Sequence, residues 1–289
     1  MKRAAAWLLA LCLLLSCLPV LAEETGKDAW SDPPAGFDQR QEGIAYGTTV
    51  FKTYLSRTTG AFRKVLVILP PNYTPEKEYP VLYLLHGIGG DHSEWSHGVP
   101  DVVTGNLLAA GLAPEMIIVM PNVRARQNDA ANPSDVYSPA HFAAFDNFIN
   151  DLTNDLMPFI AKEYSVAEGR ENTAVAGLSM GGREALYIGL TRPDLFGYVG
   201  AFCPAPGVLP YYAEGGLFQT ADFKATEGLD SYILINAGQW DGVVGEWPAT
   251  YAQTLAENGT DVTFYVMPGG HDFTVWKHGL YNFAMRIFE

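Results

Sequence analysis

Residues Gly177-Leu178-Ser179-Met180-Gly181 read G-x-S-x-G, with the apolar stretch Thr173-Ala174-Val175-Ala176 before them and a helix-forming stretch from Arg183 to Leu190 after them. A strand, a turn of five residues and a helix in that order leave few folds open. A serine hydroxyl is a poor nucleophile until it is held clear of the backbone, beside a base and beside donors for a developing oxyanion. A sharp strand-to-helix turn meets all three needs, and the flanking glycines let it close without a clash. Ser179 is therefore the candidate nucleophile.

The start of the chain reads as an export signal. Lys2 and Arg3 give a charged start, Ala4 to Leu21 is almost wholly apolar, and Val20-Leu21-Ala22 supplies a small-residue cleavage pattern followed at once by Glu23-Glu24. We expect residues 1–22 to be removed and the protein to be secreted. Leu14-Leu15-Ser16-Cys17 offers a second reading, lipid attachment at Cys17. Cleavage removes Cys12 and Cys17 and leaves only Cys203, so an internal disulfide is excluded and the core must carry the fold. Cys203 ends the apolar run Val199-Gly200-Ala201-Phe202-Cys203 and is expected to be a small buried core residue rather than a reactive thiol. The formal charge of −14 becomes two units more negative with the loss of Lys2 and Arg3. Such a chain is repelled by nucleic acid and by anionic membrane surfaces.

Residues 23–45 are polar and rich in Pro and Gly and read as a tail or linker. From residue 46 to 289 strand-like and helix-like stretches alternate. Val50–Leu55 and Lys64–Leu69 read as an opening hairpin. Val81–Leu85 and Met116–Met120 are short, continuous apolar runs of the kind buried on both faces of a parallel sheet. Helical patterns cover Val102–Ala110 and Phe142–Tyr164; strands follow at Tyr232–Ile235 and Val262–Val266, and a closing helix at Thr274–Ile287. This alternation predicts an α/β domain, a mostly parallel central sheet with helices on both faces. Residues 121–140 and 204–229 fit no element. They are long, rich in Pro, Gly and Asn, and contain Tyr137, Tyr211, Tyr212 and Phe218, so they are candidate binding loops.

A serine nucleophile on this fold needs a histidine after the last strand and an acid after the strand before it, in the chain order of the α/β-hydrolases. His271, in Pro268-Gly269-Gly270-His271-Asp272-Phe273, fills the first place. His278 falls inside the closing helix, where a surface role is expected, and His92, His97 and His141 precede the serine as loop or cap residues. Asp241, in Gly238-Gln239-Trp240-Asp241-Gly242, stands at the correct end of the sheet to hold the imidazole in its working tautomer. Glu246 on the same loop is its competitor. For the oxyanion, one N–H comes from Met180 at the start of a helix. The other comes from the glycine-rich segment Leu84-Leu85-His86-Gly87-Ile88-Gly89-Gly90, with Ile88 as donor and Gly89 as the alternative. His86 is expected to hold this loop by hydrogen bonds. No closely spaced His, Cys and carboxylate cluster of structural-zinc type is visible, so no metal is expected.

The segment Tyr79–Gly90 resembles the oxyanion segment of secreted bacterial feruloyl esterases, within the esterase D-like group of α/β-hydrolases. Met116–Asn122 (MIIVMPN), Gly177–Arg183 (GLSMGGR), Pro193–Tyr198 and Gly269–Trp276 (GGHDFTVW) are also similar, and the likeness runs from about Tyr46 to the C-terminus. The resemblance implies a Ser179/Asp241/His271 triad, Ile88 and Met180 at the oxyanion, no metal or organic cofactor, and cleavage of hydroxycinnamate esters on plant cell-wall polysaccharide. Gly89, Trp95, Tyr137, Trp240 and Trp276 are the candidate substrate-binding residues, the aromatics as walls for a phenolic ring. Cys203 departs from the family, which has a small residue such as serine there. The same scaffold carries acetyl-xylan and siderophore esterases, so a small-acyl esterase is the alternative. A non-catalytic carbohydrate-binding module would be marked by loss of the serine, histidine or oxyanion glycines, and all are present.

Overall fold

The computed structural model describes residues 30–130, 135–211 and 215–288. The expected signal at 1–22, Cys17 and Tyr212 lie outside the described residues. Eight strands form one sheet: β1 (Thr48–Ser56), β2 (Ala61–Leu69), β3 (Val81–Leu85), β4 (Ile117–Pro121), β5 (Thr173–Leu178), β6 (Tyr198–Phe202), β7 (Tyr232–Gly238) and β8 (Thr263–Met267). Their order across the sheet is β1-β2-β4-β3-β5-β6-β7-β8. β1 pairs antiparallel with β2 and β2 with β4; every other pairing is parallel. This is the α/β-hydrolase fold, mostly parallel as expected.

The apolar runs are continuous because the sheet is covered on both sides. Val81, Tyr83 and Leu85 of β3 and Val175 of β5 face a core shared with α2 (Pro139–Asp146), α3 (Phe148–Asp151), α4 (Met157–Glu163), α5 (Met180–Thr191) and α6 (Trp247–Glu257). Leu82, Leu84, Ala174 and Ala176, the alternate residues, face a second core with α1 (Pro100–Ala109) and α7 (Phe273–Ala284). Side chains alternate across a strand, so a five-residue run must be apolar throughout to satisfy both layers.

Four features depart from expectation. The helix expected over 142–164 is divided into α2, α3, a π turn at Leu152–Leu156 and α4. Buried acids explain where it divides. Asp151 pairs with the buried guanidinium of Arg63 at 2.9 Å and accepts from Tyr54 Oη at 2.6 Å, and Asp155 accepts the Thr58 N–H at 2.9 Å. Those partners belong to β1, β2 and their turn, and the extra residue of a π turn rotates the acids toward them. The run at 199–203, expected only as buried core, is strand β6 with Cys203 just beyond it, and α6 was not expected at all. From Trp30 to residue 45 the chain has neither helix nor strand, yet it is docked. Trp30 stacks on Tyr265 at 4.7 Å, Asn282 bonds both the N–H and the carbonyl of Ser31, and Asn106 on α1 donates to the carbonyls of Phe37 and Gln39.

Candidate active site

Ser179 sits between β5 and α5 with φ 52° and ψ −117°, a left-handed conformation that costs a non-glycine residue on the order of 1–3 kcal/mol. Its backbone is fixed from three sides. The Ser179 N–H donates to Phe202 O at 2.8 Å, and its carbonyl accepts from Arg183 N–H and Ala205 N–H, both at 3.0 Å. The glycines of the motif are required by close approach. A Cβ on Gly181 would lie 2.4 Å from Leu85 O and 2.6 Å from His86 O, and one on Gly177 would lie 2.4 Å from Gly181 C. Gly181→Ala is accordingly expected to cost at least the roughly 1–3 kcal/mol typical of overpacking, since backbone rather than a flexible side chain must yield. The shift of the urea midpoint measures it, and an unshifted midpoint would contradict the tight elbow. Arg183, the last residue of GLSMGGR, anchors the start of α5 through ion pairs to Glu184 and to Asp146, the latter at 2.5 Å.

The fold brings Ser179, His271 and Asp241 into one line. His271 Nε2 lies 2.8 Å from Ser179 Oγ and Nδ1 lies 2.7 Å from Asp241 Oδ2. Asp241 is buried, and its other oxygen accepts the N–H groups of Val243 at 2.9 Å and Val244 at 3.1 Å. Burial pushes this carboxyl up, but the His271 ring and the two backbone N–H donors outweigh it and hold the carboxyl below its ordinary range. The competing acids stand apart from the His271 ring: Glu246 is exposed at the N-terminus of α6, and Asp272 caps α7 by accepting the Thr274 N–H at 2.8 Å.

The glycine-rich loop lies against the elbow, close enough that a Cβ on Gly87 would be 3.5 Å from Ser179 Cβ. Among the described residues no hydrogen bond uses the N–H of Ile88 or of Met180. Both flanking carbonyls are clamped. His86 Nδ1–H donates to Gly87 O at 2.7 Å while its Nε2 accepts the Val123 N–H at 2.8 Å. Burial, with the nearby Arg124 charge, lowers the His86 pKa to about 3 and keeps the ring neutral for this double role. His141, expected as a loop or cap residue, is fully buried on α2 and donates from Nε2 to Ile88 O at 2.9 Å. Glu94 accepts the Gly87 N–H at 2.7 Å. His141 and Glu94 were missed because their partners are backbone atoms; the Ser138-Pro139 helix start was the only local sign that His141 lies on a first turn.

The candidate substrate-binding residues divide. Trp95 is 1% exposed, donates Nε1–H to Leu85 O at 2.8 Å and packs edge-on against Phe202 and Phe273. It is a core residue, and its assignment as a wall for substrate is corrected. Trp276 is also buried, edge-on to His271 at 5.1 Å. Trp240, beside Asp241, and Tyr137 are 69% and 79% exposed, and Gly89 faces open space. His278, expected at the surface, is buried and bonded through Nδ1 to Tyr265 Oη at 2.9 Å, because the face of α7 that carries it packs on β8 and Trp30. One group of three potential metal ligands does come together in space among the described residues, although it has no sequence spacing of structural-zinc type. A ring nitrogen of His271, a carboxylate oxygen of Asp241 and Cys203 Sγ lie within 4.8 Å of one another. These residues are far apart in sequence and meet only where β6, β7 and β8 end side by side.

Known proteins share this architecture. A ferulic acid esterase from Anaeromyces mucronatus, solved in complex with ferulic acid, is 39% identical with a TM-score of 0.83, over 89% of this chain and 96% of that one. An endo-1,4-beta-xylanase/feruloyl esterase from Xylanibacter ruminicola is 29% identical over 256 residues, 86% of this chain but 32% of that protein, so the chain spans about a third of that relative's length. An acetyl esterase from Caldicellulosiruptor saccharolyticus is 23% identical over 76% of this chain and 79% of its own. The sequence model of the family described as "Putative esterase" matches residues 56–287, and the chain belongs to that esterase family.

Proposed function

We propose that this protein is a secreted serine esterase that hydrolyses hydroxycinnamoyl esters of plant cell-wall polysaccharide through an acyl-enzyme on Ser179. The observation that carries the mechanism is the unbroken Ser179–His271–Asp241 line at 2.8 and 2.7 Å. In this reading His271 Nε2 takes the Ser179 proton as Oγ attacks the ester carbonyl. The oxyanion is received by the N–H groups of Ile88 and Met180, which have no other partner among the described residues. His271 then returns the proton to the departing sugar hydroxyl, and water repeats the sequence on the acyl-enzyme. Asp241 stays ionised throughout and holds Nδ1–H. His86 and His141 fix the carbonyls on either side of the Ile88 N–H, so the donor is set before the charge develops. No step requires a metal or organic cofactor.

The acyl group is inferred from the likeness to the Anaeromyces enzyme and from Trp240 and Tyr137, large rings exposed on loops at the carboxyl ends of the strands. Export is inferred from residues 1–22; no helix among the described residues is long and apolar enough to cross a membrane. The acetyl esterase similarity supports the small-acyl alternative. Stacking on an aromatic wall adds about 0.5–1.5 kcal/mol, enough for roughly a tenfold preference. We therefore expect kcat/KM on methyl ferulate to exceed that on an acetyl ester of matched leaving group by about tenfold. Trp240→Ala should raise KM for ferulate while sparing kcat. Equal values, or a preference for acetate, would move the assignment to a small-acyl esterase.

A further inference from the structure

Cys203 stands against the proposed triad. It follows β6 in a left-handed conformation, φ 47°, is fully buried, and forms no disulfide. Its sulfur, an Asp241 oxygen and a His271 ring nitrogen all fall within 4.8 Å of one another. His271 Nε2 is turned to Ser179, so Nδ1 is the nitrogen on the Asp241 side. The indole N–H of Trp276, a residue 8% exposed, is aimed at the Cys203 sulfur, where it favours the ionised thiol. Burial, with the Asp241 charge beside it, pushes the thiol pKa far up, so without a cation the sulfur stays protonated and inert as a nucleophile.

We propose that Cys203, Asp241 and His271 form an inhibitory site for a borderline-soft divalent cation such as Zn²⁺ or Cd²⁺. Thiolate, imidazole and carboxylate are the donor set such ions take, with a fourth position left to water. Bond lengths of about 2.0–2.3 Å place the donors roughly 3.3–3.7 Å apart, so the present arrangement needs displacements on the order of an ångström. Metal–sulfur, metal–oxygen and metal–nitrogen bonds form and the Asp241–His271 hydrogen bond breaks. The thiol proton leaves to solvent, while the Nδ1 proton moves to Nε2. The filled site is neutral, with two negative ligands and one divalent ion, as its burial requires. Trp276 gains a thiolate acceptor. His271 now carries hydrogen on Nε2 and cannot take the Ser179 proton, so occupancy stops hydrolysis without touching the serine. Of the three side chains only His271 meets solvent appreciably, at 14%, which makes entry slow and inhibition time-dependent.

The inhibitory effect rests on the serine-esterase reading, whereas binding of the ion does not, and the experiment separates the two. Hydrolysis of a chromogenic acetate is followed after incubation with Zn²⁺, with and without a chelator, in wild type, Cys203→Ser and Cys203→Ala. Cd²⁺ is titrated in parallel and the ultraviolet charge-transfer band of a cadmium–thiolate bond is read. Loss of even an outer partner of a metal site costs about 10–100-fold in affinity. Wild type should lose more than about nine-tenths of its activity, recover on chelation, and need at least roughly tenfold less metal than either variant. One equivalent of Cd²⁺ should raise the band in wild type only. Each activity is expressed against the same variant without metal, so a change in basal rate does not obscure the result. Equal sensitivity in the variants, or no thiolate band, would overturn the proposal. A thiolate band in a wild type that hydrolyses no ester would instead overturn the serine-esterase reading.

Discussion

Ser179→Ala is expected to remove nearly all ester hydrolysis, a fall in kcat of about five to six powers of ten, with the fold intact. The size follows from how the side chain is held. The Ser179 hydroxyl meets His271 Nε2 at 2.8 Å, while the turn that carries it is fixed by backbone bonds to Phe202, Arg183 and Ala205. Alanine deletes the proposed nucleophile and leaves those bonds in place. The residual rate would come from the N–H donors and from substrate binding alone. Active-site titration with a serine-reactive phosphonate should label wild type once and the variant not at all, and urea midpoints should differ little. Labelling on another serine, or substantial turnover in the variant, would remove Ser179 from its role.

The fold was legible where a local pattern and the tertiary environment demand the same residues. Val81–Leu85 lies between two helical layers and reads as five consecutive apolar residues; the Ser179 elbow needs small neighbours at 177 and 181 and shows them. Legibility failed where burial is polar. Asp151 and Asp155 look like solvent-facing positions of one long helix, yet they meet Arg63 and Thr58 inside the protein and divide that helix. His141 reads as a loop or cap residue and His278 as a surface residue because a sequence does not show that Ile88 O or Tyr265 Oη awaits them. Trp95 and Trp240 are indistinguishable by residue type. One closes the core under Leu85 and the other stands in solvent, a difference set by which element covers each loop.

The candidate site follows the same rule. Chain order pointed to Ser179, Asp241 and His271 because a parallel sheet sends every strand's carboxyl end to the same edge. The order of loops along the sequence thus becomes an order of neighbours in space. It did not point to Cys203, which reaches that edge on β6 as an ordinary apolar residue. Nor did it point to the two imidazoles that clamp the Ile88 peptide, whose partners are main-chain atoms common to every residue.

Asp241→Asn is expected to lower kcat by about four powers of ten near neutral pH with little change in KM. The substitution keeps the shape and reverses a hydrogen. The amide oxygen can still accept from Val243 and Val244, which places the amide nitrogen at the position 2.7 Å from His271 Nδ1. An N–H there requires Nδ1 to accept, so the ring's proton moves to Nε2, the atom proposed to take the Ser179 proton. The imidazolium that forms during attack also loses its counter-charge. The rings proposed to hold the acyl group, Trp240 and Tyr137, are unchanged, so the loss is expected to fall on kcat. Glu246→Gln, at the cap of α6 and without a bond to His271, should change kcat by only a few-fold. A severe loss in Glu246→Gln beside a mild one in Asp241→Asn would transfer the acid's role to Glu246 and leave the 2.7 Å contact as a structural bond alone.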